Sequence, residues 1–363
     1  MPSKGCAMTS KERTKAAINF QEPDRVPVSY MSNLGLTDRL KKHFGLKPDD
    51  NYGLLAALEI DIYNYCPMYT GRPLFEAVPG KNTNEWGMRT RWIEHETGGY
   101  WDYCDFSLKG VPAEKLADWP MPNPDDFNYA EGAALCEKYP DKFWVIGSPG
   151  FGDFMNSSGM LMGVEQMLFN MADEEEEFFN FWDRRLAVQL GILERAIDRF
   201  GKHLDMVWIG EDLGTQIAPL ISLNMFRRLL RPRHQQLIDL ASAHNLPVMV
   251  HSCGSSSWAF EDFIDMGVRV MDTLQPEAVN MSPRYLKDHF GGRLAFHGCI
   301  STAGPVATGT VEETVADCRA KLDILMPGGG YCFAPTHALQ DNSPTENVVA
   351  MYETARTYGR YRK

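Results

Sequence analysis

The chain has 363 residues, 44% of them hydrophobic, and carries a formal charge of −12 at pH 7. A chain of this length can bury one large core, and its negative charge disfavours a polyanion, so nucleic acid is not expected as a partner. No apolar run approaches the roughly twenty residues that span a bilayer. The opening MPSKGCAMTSKERTKAA also lacks the apolar block of a secretory signal, so the sequence points to the cytoplasm and to no membrane association.

In chain order, Val26 to Tyr30 and Asp61 to Tyr65 read as the first strands. They are set in a segment rich in Pro, Gly and aromatic residues, an N-terminal elaboration of residues 1–90 that stays irregular to about residue 140. From Phe143 onward, short β-rich apolar runs alternate with longer amphipathic stretches, the pattern of repeated βα units around a parallel sheet. The predicted strands are Phe143 to Gly147, Met206 to Gly210, Val248 to Ser252, Val268 to Leu274, Leu294 to Gly298 and Tyr331 to Pro335; Met225 to Ala243 and Val311 to Leu325 are among the predicted helices. The acidic run Glu174 to Glu177 opens a long helical pattern, where carboxylates favour the positive end of the helix dipole. Eight cysteines scattered without short paired spacings do not form a disulfide framework, and most are expected to be reduced and buried.

Such βα units can close into a barrel or wind into an open sheet. No Gly-rich dinucleotide fingerprint follows any strand, and polar residues recur just past strand ends, in GEDLGTQ, HSCGSSS, LQPEAVN, HGCIS and PTHALQD. In a barrel those ends share one mouth, so the predicted fold is an α/β, (β/α)₈ TIM barrel with an N-terminal elaboration, one domain over residues 1–363.

The densest chemical signal is Val248-Met249-Val250-His251-Ser252-Cys253-Gly254. Strand alternation places His251 and Cys253 on one face, with Ser252 opposite. Imidazole nitrogen and thiolate sulfur are zinc ligands, and a catalytic zinc commonly has three protein ligands and an open position. Further donors must come from other strands, and Glu277 and His337 follow the next strand and the last one; which of them completes the set stays open. Glu211 and Asp212, carboxylates just past a buried strand, are candidates for the catalytic acid. Tyr30, Met31, Asn33, Tyr63, Trp208, Gln216, His297 and Tyr331 are the expected substrate wall. Trp208 and Tyr30 fit a core equally well, and His297 faces either the pocket or the helix layer. The nineteen methionines suit the core more than a docking face.

ERTKAAINFQEPDRVPV, VWIGEDLGTQ, HSCGS, QPEAVNM and PGGGYCFAPTHALQDNSPTENV together resemble the uroporphyrinogen decarboxylase superfamily over nearly the whole chain. That superfamily includes decarboxylases and zinc-dependent methyltransferases that work with corrinoid proteins. The decarboxylase branch carries an MRQAGR-like segment whose arginines hold substrate carboxylates, whereas this chain has Met31-Ser32-Asn33-Leu34-Gly35-Leu36 there. Without those arginines a polycarboxylate tetrapyrrole lacks charge-assisted partners.

The methyltransferase branch holds zinc through His-x-Cys and a distant Cys. His251 and Cys253 match the first two, but His337 stands where the distant cysteine is expected, and alternation points Cys332 away from the face carrying His337. Glu277 sits near the spacing of a glutamate that cobalamin-independent methionine synthase, similar in fold, places between its cysteines. The resemblance implies Zn²⁺, a cobalamin carried by a partner corrinoid protein rather than by this chain, a small-molecule methyl donor or acceptor, and a homodimer. The methyl group would come from a methyl ether or pass to a thiol; ether demethylation is favoured because exchanging Cys for His leaves zinc more acidic. A decarboxylase acting on another substrate, and a noncatalytic barrel, are the competing readings.

Overall fold

The computed structural model describes residues 8–361, so the first seven residues of the opening segment lie outside it. Seven strands, β1 (Ile62–Tyr65), β2 (Phe143–Gly147), β3 (Leu204–Gly210), β4 (Val248–Ser252), β5 (Val270–Thr273), β6 (Ala295–Ile300) and β7 (Tyr331–Pro335), pair in parallel in chain order. Residues 28 and 29 close the ring. Val28 bridges Phe333 of β7 and Ser29 bridges Ile62 of β1, both in parallel. Ser29 N donates to Phe333 O at 3.0 Å, and Asp61 N donates to Val28 O at 2.9 Å. The result is a TIM barrel whose eighth segment is a two-residue bridge instead of the strand expected over Val26 to Tyr30; Pro27, which has no N–H, limits the ladder there.

Alternation sorts the strand side chains into two cores. Ile62, Val145, Met206, Trp208, Met249, Val270, Ala295 and Cys332 form one cluster inside the barrel. Val207, Ile209, Val248, Val250, Met271, Phe296 and Phe333 belong to a larger one between strands and helices. The helix Ser10–Ile18, opened by a Thr9–Glu12 capping box, adds Ala17 and Ile18 to the inner cluster and closes the amino end of the barrel.

The helix pattern after Glu174 is realised as Glu176–Phe200, with Glu176 and Glu177 in its first turn. Glu174 lies outside the helix and pairs with Arg228 at 2.7 Å. The predicted helix Met225 to Ala243 divides into a wide turn over Phe226–Leu230 and an α-helix over Arg231–Ala243. Pro232 cannot donate to the carbonyl one turn back, and the widened turn absorbs that loss. An antiparallel sheet of Asn82–Thr83, Arg89–His95 and Gly98–Tyr103 occupies part of the segment read as irregular. Its strands are largely exposed, so they carry little apolar alternation. All seven cysteines among the described residues are free thiols, four of them buried; Cys6 lies outside the described residues. No helix among the described residues is long and apolar enough to cross a membrane.

Candidate metal centre

Met249 points into the barrel, and two residues on, His251 does the same at the strand's carboxyl end. Ser252 faces the other way, where its hydroxyl accepts from Leu213 N at 3.2 Å. The loop after β3 is zipped to the loop after β4. Glu211 N donates to His251 O at 2.9 Å and Ser255 N to Thr215 O at 2.7 Å, while Cys253 N donates to Asp212 Oδ1 at 2.8 Å. Gly254 has φ 71°, and a Cβ there would lie 2.3 Å from Gly214 O, so this turn requires glycine. The zipped loops bring Asp212, His251 and Cys253 together, one ligand atom from each lying within 4.8 Å of the others. Cys253 Sγ is 3.3 Å and Asp212 Oδ1 3.7 Å from His251 Nε2.

Behind this group stands Asp272, on the inward face of β5. Its Oδ2 is 2.7 Å from His251 Nδ1 and its Oδ1 is 2.5 Å from His297 Nδ1. Burial alone would raise the Asp272 pKa, but the flanking imidazoles hold it far below the carboxylate range. Burial likewise disfavours the charged form of His251, yet hydrogen bonds to Asp272 and Cys253 outweigh it and hold this pKa well above the usual value. Burial raises the Cys253 thiol, with His251 working against that rise. Thr273 Oγ1 also lies 2.6 Å from His251 Nδ1, and Thr273 holds a φ of 86°, a strained conformation for a β-branched residue. The chemistry of the donor set fits zinc: Nδ1 is engaged by Asp272, which leaves Nε2 facing a thiol and a carboxylate.

His337 lines the same mouth cavity as His251 and Asp212. Burial and the neighbouring His251 charge lower its pKa, so it is a neutral imidazole at neutral pH. Glu277 is exposed and stands outside the three-residue group. Glu211 is buried, and its carboxylate accepts Phe154 N at 2.9 Å and Met155 N at 3.0 Å, at the start of the helix Met155–Met162. Five of the eight expected substrate-wall residues, Tyr30, Met31, Tyr63, Trp208 and His297, line an inner cavity of about 200 Å³ that also touches Asp272. Asn33 bonds Gln340 at 3.2 Å, Gln216 reaches Gln275 at 3.4 Å, and Tyr331 is fully buried with its hydroxyl donated to Gly298 O at 2.8 Å. These three line neither cavity.

The mouth cavity, about 510 Å³, is lined by further residues that sequence reasoning did not single out: Asp153 after β2, and Arg185 and Gln189 on the long helix. Asp153 is pushed well above the carboxylate range by burial and by Glu211 beside it, and Glu211 itself is pushed up to about 7, chiefly by burial. The available signals were weak ones: a carboxylate inside the apolar run Val270-Met271-Asp272, and polar residues on the buried stripe of an amphipathic helix at Phe181, Arg185, Gln189 and Ile192.

Comparison with known proteins adds two findings. The family model described as "Uroporphyrinogen decarboxylase (URO-D)" matches residues 138–358, more than half of the chain. A solved structure, a methyltransferase from Methanosarcina mazei, superposes with a TM-score of 0.63 at 18% identity, covering 97% of this chain and 99% of that one. A search of curated proteins finds no match.

Proposed function

The chain belongs to the uroporphyrinogen decarboxylase family, and from that premise we propose that it is a zinc-dependent methyltransferase that moves a methyl group from a small methyl ether to a corrinoid protein. The observation that carries this reading is the Asp212, His251 and Cys253 group at the barrel mouth, braced by Asp272. The fold shared with a methyltransferase is consistent with it.

Asp212, His251 and Cys253 would hold the metal, with His337 across the same cavity as a further donor. Zinc bound there would supply Lewis acidity toward an ether oxygen. The protein's own groups supply orientation and a proton. Asp272 fixes the His251 ring so that Nε2, not Nδ1, faces the cavity. Demethylation would break the O–CH₃ bond, with the reduced corrinoid of the partner supplying the electron pair that takes the methyl group, and the departing oxygen would need a proton. Asp153 lines the cavity, and burial beside Glu211 raises its pKa well above the usual carboxylate range, whereas Glu211 is tied to two backbone N–H groups, so the acid role falls to Asp153.

The test mixes the purified protein with reduced cobalamin and a panel of methyl ethers, and follows the visible spectrum together with the metal content. Methylcobalt formation is expected with at least one ether, with about one zinc per chain; His251→Ala should lose both. No spectral change with any ether, and none in reverse with thiols, overturns methyl transfer. Release of carbon dioxide from a carboxylated substrate by zinc-free protein would replace it with decarboxylation.

A further inference from the structure

The wall of the mouth cavity formed by the helix Glu176–Phe200 carries a cation that makes no ion pair within 4.0 Å among the described residues. Arg185 is 2% exposed, and neither its Nε nor its Nη1 has a hydrogen-bond partner. One turn on, Gln189 is also 2% exposed, and its Oε1 is likewise unpartnered. Both line the cavity that contains Asp212, His251 and His337.

The nearby acids do not complete Arg185. Asp153 and Glu211 lie close enough to act on it through space, but no ion pair within 4.0 Å joins either to Arg185 among the described residues. Three of their four oxygens are used elsewhere: Asp153 Oδ1 accepts Asn156 N at 3.0 Å, and the two oxygens of Glu211 accept the Phe154 and Met155 amides. Burial pulls the Arg185 pKa down to about 10, so it keeps its charge at neutral pH. Its guanidinium carbon sits 5.2 Å from the Trp86 ring centroid and 5.7 Å from that of Phe181. Two aromatic contacts restrain the guanidinium while Nε and Nη1 stay unspent. Burying a charge this way is costly unless a counter-ion arrives, and a guanidinium fork matches the paired oxygens of an oxyanion.

We infer that Arg185 forms an anion subsite of the mouth cavity, and that the substrate is an acid: a small methylated molecule whose carboxylate or sulfonate docks on the Arg185 fork, while the neighbouring Gln189 Oε1 is an acceptor open to a hydroxyl of the same molecule. The inference rests on the mouth cavity being the substrate site, and it deepens the proposed function by naming the substrate class. Anchoring the acidic end on the helix wall leaves the other end of the molecule free to extend toward His251 and Cys253.

The test is equilibrium binding to the full-length protein at neutral pH, without corrinoid, using 4-methoxybenzoate, 4-methoxybenzenesulfonate and neutral anisole. At least one of the two acids should bind tenfold or more tightly than anisole. Arg185→Met should erase that preference while leaving anisole binding in place, and Arg185→Lys should keep part of it. His251→Ala should retain the acid preference, so that failure of the metal reading and failure of the subsite give different results. Equal binding of acids and anisole to the wild type, or an acid preference that survives Arg185→Met, overturns the subsite. If Arg185→Met does not fold, Arg185→Gln decides: loss of most of the acid preference supports the proposal, and an unchanged preference overturns it.

Discussion

The two ends of the barrel treat buried charge in opposite ways. At the amino end, Asp61 is fully buried and receives Arg13 at 2.7 Å, Arg25 at 2.6 Å, the Ser10 hydroxyl at 2.8 Å and Val28 N at 3.0 Å. Asp205, likewise buried, is met by Lys11 at 2.8 Å and Lys15 at 2.9 Å. At the carboxyl end, Arg185 Nε and Nη1, Gln189 Oε1, Trp208 Nε1 and His297 Nε2 are buried without hydrogen-bond partners, and burial beside Glu211 pushes the Asp153 carboxyl well above its usual range. The amino end meets both of these buried carboxylates with cations, and leaves Thr14 Oγ1 unpartnered; the carboxyl end leaves a cation, an amide and two ring nitrogens waiting. That asymmetry separates the part of the fold that serves stability from the part shaped around something the chain does not contain.

The comparison is sharpened by removing one group from each end. His251→Ala at the mouth should reduce methyl transfer by about a thousandfold or more, the scale expected when a metal-holding residue is lost, and should destabilise the fold less than Asp61→Ala does, because Asp272 keeps its contact with His297. Activity assays paired with denaturant titrations check this; an equal loss in both would erase the distinction. Asp61→Ala at the amino end should do the reverse. It leaves the buried Arg25 guanidinium without a carboxylate and Arg13 with Asp24 alone, at a cost of about 3–5 kcal/mol, while the proposed zinc site of the fraction that remains folded should be unaffected.

The legible parts of the fold were those where burial writes itself into the sequence. Parallel strands covered on both sides are short apolar runs, so Phe143–Gly147, Val248–Ser252 and Tyr331–Pro335 have the predicted bounds. The first half was harder to read because the closing segment pairs through only two residues and the antiparallel insert has exposed faces. At the site, alternation was enough to put His251 and Cys253 on one face. Asp212 joins them through hydrogen bonds between two loops, and no spacing rule encodes that. Asp272 and Arg185 occupy positions where the pattern calls for apolar residues, so the pattern absorbed them as core. Such local exceptions are where function departs from foldability.

His234 tests whether groups near the mouth surrender charge instead of pairing it. The ring is 1% exposed, its Nε2 lies 3.1 Å from Gly152 O, and burial lowers its pKa to about 4. A histidine neutral in the folded chain but titrating near 6.5 when unfolded favours unfolding as protons are added. Its contribution is therefore complete above about pH 6.5 and is lost as pH falls toward about 4, on the order of 3 kcal/mol in all. Chemical denaturation of wild type and His234→Gln at several pH values measures it: the variant should be the less stable at pH 7, and the gap should close by pH 4. A gap independent of pH would mean that His234 ionises freely when folded.

The smallest expected effect is also the most diagnostic, because its sign is opposite to that of an ordinary core mutation. Gln189 lies on the buried stripe of its helix with an unpartnered Oε1, and an unsatisfied buried polar group costs about 1–3 kcal/mol. Leucine has a similar size and a better helix propensity, and it carries no polar atom to strand. Gln189→Leu should therefore stabilise the ligand-free protein by about 1 kcal/mol in a denaturant titration. The corresponding removal of a satisfied polar group at the amino end, Ser10→Ala, should destabilise by about the same amount, since that hydroxyl donates to Asp61. Opposite signs from the two substitutions would show that the carboxyl end forgoes stability to keep its polar groups available. A loss of stability in both would mean that Gln189 is already satisfied within the protein, and the contrast between the two ends would no longer extend to this helix.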